Sequence, residues 1–140
     1  MARFNFYAKK FMKKTNIENF KKSLSKFATG ITVVATNKDY VLYGKTINSF
    51  SSLSLKPALV LFSLDTKSSK LNIYKNSKTV TINVLSKKQK KISDNFAKNN
   101  PNWHEVDYNI LDNGNPIIKN CTSNLDCKII DKIKKGDHII

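Results

Sequence analysis

The chain has 140 residues, which is the size of one domain with one hydrophobic core, and its 40% of hydrophobic residues is enough to build that core. The apolar runs are far shorter than the roughly 20 residues that cross a bilayer, so we expect a soluble chain with no membrane span and no secretory signal. The formal charge of +15 suits an anionic partner.

The positive charge does not by itself identify nucleic acid as that partner. Arg3 is the only arginine among 25 basic residues, whereas base recognition relies on arginine forks and stacking aromatic side chains. Lys, Asn and Ile together are typical of an AT-rich genome, so coding bias is favoured over a basic nucleic-acid-associated module. The charge can still attract the phosphates of nucleotides.

Residues 1–17 form a basic extension ahead of a single predicted domain at residues 18–140. Such an extension, if helical, either lies on a membrane surface or packs on its own domain or a partner subunit, and we favour packing. Four of its apolar residues share one helical face opposite lysines: Phe4, Tyr7, Phe11 and Met12.

The first helix of the domain has a start signal and a stop signal. Thr15 and Glu18 have the spacing of a capping box, and Gly30 ends the helical pattern. The apolar residues between these signals recur at helical intervals and predict one apolar face: Ile17, Phe20, Leu24 and Phe27.

A β-hairpin and a third strand come next. Ile31–Thr36 is rich in β-branched residues and predicts a strand, Asn37–Asp39 predicts a tight turn, and Tyr40–Thr46 predicts the returning strand. Pro57 opens the third strand, Ala58–Leu64, whose unbroken apolar character predicts burial on both faces.

The rest of the chain alternates short strands with helices and loops. Several short strands with few helices predict a mainly β protein, a small β-barrel or sandwich with peripheral helices. The predicted elements are a short helix carrying Leu71, Ile73 and Tyr74, a strand at Thr79–Leu85, a helix at Lys87–Lys98, a loop-rich stretch at Asn99–Asn115, and late strands at Ile117–Ile118 and Leu125–Ile133.

A loop between the second and third strands is rich in uncharged hydrogen-bonding groups. Hydroxyl and amide side chains suit the carbonyls and ring nitrogens of a flat heteroaromatic ligand. The alternative is a serine-rich connection that caps its own backbone. The polar side chains of this loop are Thr46, Asn48, Ser49, Ser51, Ser52 and Ser54.

A second polar segment, Asp65–Ser69, joins a strand to a helix. Free backbone N–H groups, the Ser68 and Ser69 hydroxyls and the Lys67 ammonium can converge there on a phosphate. An ordinary serine N-cap with a solvated lysine is the alternative. Because its carboxylate would repel a phosphate, we expect Asp65 to face away.

The cysteines and histidines predict neither a disulfide nor a metal site. Cys121 and Cys127 lie six residues apart in a predicted strand, about 20 Å at roughly 3.3 Å per residue, and a disulfide needs Cα atoms within about 7 Å. We expect both thiols to be small, buried or half-buried groups of a reducing compartment. His104 and His138 have no metal-binding spacing to them, and His104 is expected on the surface.

Several motifs in order along the chain give a more specific indication. These motifs resemble those of the flavin reductase family of the FMN-binding split-barrel fold, over roughly residues 20–140. They are Phe27-Ala-Thr-Gly-Ile-Thr-Val-Val-Ala-Thr36, Gly44-Lys-Thr-Ile-Asn-Ser-Phe-Ser-Ser-Leu-Ser-Leu-Lys-Pro-Ala-Leu-Val60, Asn83-Val-Leu85 and Gly136-Asp-His138.

The resemblance implies an activity, cofactors and partners. It implies an NAD(P)H-dependent flavin reductase that uses FMN, with FAD possible, and NADH or NADPH. It also implies a cytoplasmic homodimer and a separate monooxygenase that receives the reduced flavin. A split-barrel protein that binds flavin without turnover is the nearest alternative.

The resemblance also assigns roles to individual residues. His138 would lie close to the flavin and the nicotinamide and is the candidate catalytic residue. The family pattern continues beyond the Gly-Asp-His turn with a full strand, so from the sequence alone we expect an open sheet edge near Ile140. The residues expected to contact flavin are Thr46, Asn48, Ser49, Ser51 and Ser52, with Lys67, Ser68 and Ser69 at the phosphate.

Overall fold

The computed structural model describes residues 16–140, and most of the regular structure in this part of the chain is β-strand. The predicted extension therefore lies outside the described residues, apart from its last two, and so does Thr15.

The helices are α1 (Ile17–Leu24), α2 (Leu71–Asn76) and α3 (Lys90–Ala97), with 3-10 turns at Lys87–Gln89 and Trp103–Glu105. The strands are β1 (Thr32–Lys38), β2 (Val41–Ile47), β3 (Ser51–Leu55), β4 (Ala58–Leu61), β5 (Leu64–Asp65), β6 (Thr79–Val84), β7 (Tyr108–Ile110), β8 (Pro116–Ile118), β9 (Ser123–Lys128), β10 (Lys134–Lys135) and β11 (His138–Ile139).

The main sheet is antiparallel and has the strand order β2-β1-β6-β9. Val34 of β1 lies opposite Lys45 of β2 on one side and Ile82 of β6 on the other. The stretch 32–36 of β1 is completely buried, as its run of β-branched and small apolar residues predicts for an interior strand. In this sheet β2 is an edge strand.

Two hydrophobic clusters lie on opposite faces of β1, because successive side chains of a strand point to opposite sides. Val34 packs with Ile82, Leu64 and Tyr74 on one face. On the other face, Val33 and Ala35 pack with a second set that includes Phe96, Val106 and Ile118.

A buried amide of β6 ties four strands together beside the second cluster. The Asn83 side chain donates to the Val33 carbonyl over 3.0 Å, and its Oδ1 accepts from the Ile118 N–H over 2.9 Å and from the Asn124 side chain over 2.8 Å. Each of these bonds satisfies a polar group that would be costly to bury alone. Asn83 thus connects β1 and β6 to β8 and β9.

Three smaller sheets surround the main one. β3 pairs with β4, β7 pairs with β8, and β5 pairs with β11, which in turn pairs with β10. In the β5–β11 pair, Asp65 lies opposite His138 and Leu64 opposite Ile139. The chain therefore returns after more than 70 residues to the segment that follows β4.

Several predicted boundaries and burial patterns were wrong. β1 extends to Lys38, so the hairpin turn falls on Asp39 and Tyr40, which both have positive φ (53° and 65°). Positive φ at both turn residues gives a two-residue hairpin turn whose twist matches that of the flanking strands. β4 is half-buried and ends at Leu61, because β3 is its only strand partner within residues 16–140. β9 ends at Lys128 instead of continuing to residue 133.

Helix α1 also differs from its prediction. It ends at Leu24, well before Gly30, and its N-cap is Asn16, whose side chain accepts from the Glu18 N–H over 3.0 Å. Its apolar face is on the surface, with Phe20 49% and Leu24 57% exposed. None of the described helices is long and apolar enough to cross a membrane.

Candidate functional site

A cleft of about 310 Å³ lies between the end of β2 and the segment that includes β5. Its walls come from three parts of the chain that are distant in sequence. We call it the first cleft, and its lining residues are Lys45, Thr46, Ile47, Asn48, Ser49, Ser63, Leu64, Asp65, Lys67, Ser68 and His138.

Ser49 fastens the loop after β2 to the opposite wall. Its hydroxyl donates to the Ser63 carbonyl over 2.9 Å and accepts from the Ser63 N–H over 3.0 Å. These two bonds resemble those of one backbone pair in a β-sheet, although the two segments are not paired as strands. Ser49 therefore holds the mouth of the cleft together, and one hydroxyl lone pair is left for a ligand.

Thr46 fastens the end of β2 to helix α3. Its hydroxyl donates its hydrogen to the Ser93 carbonyl over 2.7 Å. Thr46 can therefore bind a ligand in the cleft only as a hydrogen-bond acceptor. Two residues earlier in β2, Gly44 is buried against the Phe96 ring. The absence of a side chain at Gly44 lets α3 approach the strand closely enough for the Thr46 bond.

The β5–β11 pair brings His138 into the first cleft. Thr66 strengthens this pairing, since both its N–H and its hydroxyl donate to the Asp137 carbonyl, over 2.8 and 2.9 Å. Gly136 has φ +59° and supplies the tight turn that precedes them. The predicted Gly-Asp-His turn therefore stands beside the serine-rich loop, although more than 80 residues separate the two.

His138 is oriented by its neighbour. Its Nδ1 lies 2.8 Å from Asp137 Oδ1, and this hydrogen bond is the largest cause that lowers the pKa of the Asp137 carboxyl. When Nδ1 carries the hydrogen, Nε2 of the neutral ring is the acceptor. The side chain of His138 is 43% exposed, so the ring is accessible from the cleft.

The phosphate segment is only partly as predicted. Lys67 and Ser68 line the cleft, but Ser69 does not. Asp65 lines it as well, contrary to the expectation that it faces away, because its Oδ1 accepts from the Lys67 N–H over 2.7 Å and so caps its own turn. The Lys67 amide is thereby unavailable to a phosphate, whereas its ammonium makes no ion pair with any carboxylate in residues 16–140.

Ser51 and Ser52 lie outside the first cleft. They begin β3, where both are exposed, and the Ser51 hydroxyl donates to the Ser52 carbonyl over 3.2 Å. Their predicted contact with a flavin stays a prediction, and the described part of a single chain does not bring them to the first cleft.

Four residues that line the first cleft were not predicted: Lys45, Ile47, Ser63 and Leu64. Lys45 lies within the predicted strand and looked like any of the other lysines. Ser63 follows a run of apolar residues, where its bonds to Ser49 could not be read from local pattern. The predicted surface position of His104 is confirmed, and Cys121 and Cys127 are free and half-buried as expected, although Cys121 lies just before β9 and not within a strand.

The chemistry of the lining groups suits an anionic, flat, polar ligand. Uncharged hydroxyl and amide groups occupy one wall, and Lys45 and Lys67 outnumber the single carboxylate, Asp65. The volume is at the lower end of the roughly 300–1,000 Å³ found for small-molecule sites. Residues 16–140 contain no cluster of three or more His, Cys, Asp or Glu side chains that could hold a metal ion.

The sequence of this chain matches a known protein family. Residues 24–140 match the model of the flavin reductase like domain. The chain is 34% identical over 125 residues to FMN reductase (NADH) SmoA of Agrobacterium fabrum, an alignment that covers 89% of this chain and 72% of SmoA. It is 35% identical to HsaB of Mycobacterium tuberculosis, the reductase subunit of a flavin-dependent monooxygenase, over 86% of this chain and 65% of HsaB.

A solved structure agrees with the sequence matches. The flavin reductase PheA2 in its native state superposes with a TM-score of 0.79 at 35% identity, covering 87% of this chain and 79% of PheA2. The mainly β architecture predicted from the sequence is therefore confirmed.

Proposed function

This chain belongs to the flavin reductase like family, and from that premise we propose that it is an NAD(P)H-dependent flavin reductase. The substrates would be a nicotinamide nucleotide and FMN or FAD. The observation that carries the proposal is the β5–β11 pairing, since it puts His138 in one cleft with the polar loop at residues 46–49. Two parts of the sequence that resemble flavin reductases thus form one site.

The lining groups fit a flavin by their chemistry. Thr46 and Ser49 offer lone pairs to ring N–H groups, while the Asn48 amide offers both donors and an acceptor. Lys67 and Ser68 are the candidates for a phosphate of the ribityl end. The predicted contacts of Ser51, Ser52 and Ser69 would require another chain or another conformation, and we keep them as secondary candidates.

The flavin and the nicotinamide supply the hydride chemistry when bound, so the protein needs no nucleophile of its own. The role of its residues is to orient and to adjust charge. The Asn48 amide and the Lys45 ammonium would favour the negative charge that a bound flavin ring gains on reduction. His138, held by Asp137, would place Nε2 beside the reacting rings and orient one of them by a hydrogen bond.

We also propose that the protein is a homodimer. Helix α1, the segment after it and strand β3 expose large apolar side chains that a second copy would cover, and exposed apolar surface is typical of interaction sites. They are Ile17, Phe20, Leu24, Phe27, Leu53 and Leu55. Light scattering after size exclusion should give about twice the chain mass, and Leu24→Glu should lower it while Lys21→Glu, on the same helix, should not.

The partner of the reaction would be a monooxygenase component that takes up reduced flavin, as the name of HsaB indicates for that protein. A cytoplasmic location is part of the same proposal, because reduced nicotinamide nucleotides are available there. The half-buried free thiols Cys121 and Cys127 are consistent with a reducing compartment.

Two measurements on the purified chain test the activity. Oxidation of NADH, followed at 340 nm, should depend on added FMN or FAD, and flavin fluorescence should be quenched on binding without NADH. Flavin binding with no NADH oxidation would leave a flavin-binding protein without reductase activity. If flavin does not bind and the protein instead binds DNA in a salt-sensitive way, the nucleic-acid-associated module becomes the better explanation.

A further inference from the structure

Thr66 makes two hydrogen bonds to a single carbonyl beside the first cleft. Its N–H donates to the Asp137 carbonyl over 2.8 Å, and its hydroxyl donates to the same oxygen over 2.9 Å. Thr66 does not itself line the cleft, so its hydroxyl is not placed to bind a ligand there. What the two bonds hold is the segment that carries His138.

The segment around Thr66 is a closed turn that is anchored to the core. The Ser68 N–H donates to the Asp65 carbonyl over 3.0 Å, and Asp65 Oδ1 accepts from the Lys67 N–H over 2.7 Å. Leu64, just before this turn, is buried in the hydrophobic cluster around Val34. Thr66 is therefore held in place on its own side of the contact.

The segment on the other side of the contact lies at the surface. Residues 130–137 are exposed, and β11 joins β5 through two residue pairs, Asp65–His138 and Leu64–Ile139. A strand pair this short is marginal by itself. The bonds from Thr66 to Asp137 continue the register by one residue at the end where His138 lies, so they are placed to stop that end from fraying.

Asp137 connects Thr66 to the His138 ring. A carbonyl oxygen has two lone pairs, and the N–H and the hydroxyl of Thr66 can satisfy both, which fixes the direction of the peptide between Asp137 and His138. The carboxylate of the same Asp137 lies 2.8 Å from His138 Nδ1. The backbone of His138 and the orientation of its ring thus both depend on the residue that Thr66 holds.

We propose that Thr66 is the positioning residue for His138: its hydroxyl fixes the Asp137–His138 peptide and thereby keeps Nδ1 on the Asp137 carboxylate and Nε2 available in the cleft. The consequence for turnover rests on the proposed function, in which His138 orients a reacting ring. The positioning itself does not, because it involves contacts within the protein alone.

The histidine rings give a direct readout, since the chain contains two of them, His104 and His138. In protein labelled with ¹⁵N-histidine, at a pH at which both rings are neutral, the ring nitrogen shifts report which nitrogen carries the hydrogen. We expect the Nδ1–H tautomer to predominate at His138 in the wild type. The surface residue His104 is the internal reference, and its tautomer should not change in any variant.

Thr66→Val keeps the branched shape and the backbone bond but removes the hydroxyl, and it should lower the Nδ1–H population of His138 by at least about twofold. Thr66→Ser keeps the hydroxyl and should restore the wild-type tautomer. Thr122→Val is the matched control, because it makes the same substitution at an exposed position outside the first cleft and should change neither ring.

Kinetics test the consequence for turnover. Thr66→Val should lower kcat about fivefold, the factor that corresponds to one neutral hydrogen bond, and leave the Kd of FMN unchanged. Because Thr66 acts through His138, adding Thr66→Val to His138→Ala should lower kcat by less than about twofold more. A separate structural effect would give the full loss in both backgrounds.

The outcomes separate this inference from the proposed function. A wild type without the Nδ1–H tautomer, a Thr66→Val variant that keeps it, or equal kinetic losses with and without His138 would overturn the positioning role while flavin reduction stands. A chain that binds neither FMN nor FAD would overturn the proposed function, and the tautomer comparison would still decide the role of Thr66.

Discussion

Replacing Gly44 with alanine is expected to push α3 away from β2. An ideal Cβ at Gly44 would lie 2.5 Å from both Cδ1 and Cε1 of Phe96 and 3.1 Å from Cζ2 of Trp103. Carbon atoms in good contact lie about 3.5–4.0 Å apart, so the Phe96 ring must move by about 1 Å. It has little room, because its side chain is fully buried and Trp103 packs edge-on against it at a centroid distance of 4.6 Å.

We expect Gly44→Ala to lower the free energy of unfolding by about 2 kcal/mol, within the range of about 1–3 kcal/mol for overpacked cores. The sign is diagnostic. Gly44 lies in a strand and does not have positive φ, so without the clash alanine would stabilise the fold by roughly 0.4–1 kcal/mol. Urea unfolding followed by fluorescence of Trp103, the one tryptophan in the chain, measures the difference.

Two further variants test the cause. Gly30→Ala is the matched control, because nothing lies within 4 Å of its added Cβ. Combining Gly44→Ala with Phe96→Leu should recover part of the loss, and the double-mutant cycle should give a coupling energy of at least about 1 kcal/mol. A Gly44→Ala variant as stable as the wild type, or a double-mutant cycle with no coupling energy, would refute the close packing of α3 on β2.

Three other predictions concern single side chains. Tyr74→Phe should lower the free energy of unfolding, measured by chemical denaturation, by about 1 kcal/mol, because the buried hydroxyl donates to the Val34 carbonyl over 3.0 Å. Burial also raises the pKa of Tyr74, so the absorbance of this tyrosine should not change as the pH rises through 10. His138→Ala should raise the pKa of Asp137 towards its ordinary value near 4 in an NMR titration. Because the folded-state pKa of Asp137 is lowered in the wild type, the contribution of its hydrogen bond to folding stability is present above pH 4 and is lost as the pH falls through the lowered pKa. Burial, followed by a neighbouring carboxylate, raises the pKa of Cys127, so iodoacetamide should alkylate it at a higher pH than it alkylates free cysteine, and an equal pH profile would contradict the half-buried position.

Local pattern was sufficient for much of the fold. A run of β-branched residues predicted β1, and the strand predicted at Thr79–Leu85 and the helix predicted at Lys87–Lys98 correspond to β6 and α3, because these elements are specified by side chains close in sequence. The predicted hairpin turn began two residues too early and ended one too early, because Asp39 and Tyr40 adopt positive φ without a glycine to signal it.

The candidate site depends on contacts between distant segments, and these were harder to predict. The motifs indicated that the loop at 46–49 and His138 belong together, but nothing in composition or periodicity indicated the β5–β11 pairing that joins them. The hydrogen bonds from Thr46 to Ser93 and from Ser49 to Ser63 could not be predicted either. The sequence does not distinguish a hydroxyl that binds a ligand from one that binds a backbone carbonyl.

The buried Asn83 amide has a consequence for how the structure opens. The Ile118 N–H belongs to the short β7–β8 hairpin, which by itself would fray and exchange its amide hydrogen with solvent within a short time. Because that N–H donates to the fully buried Asn83 of β6, which also bonds to β1, we expect it to be released only when the main sheet separates. In a hydrogen–deuterium exchange experiment, Ile118 should therefore exchange with the slow amides of β1 and β6, which makes the hairpin and the sheet one cooperative unit.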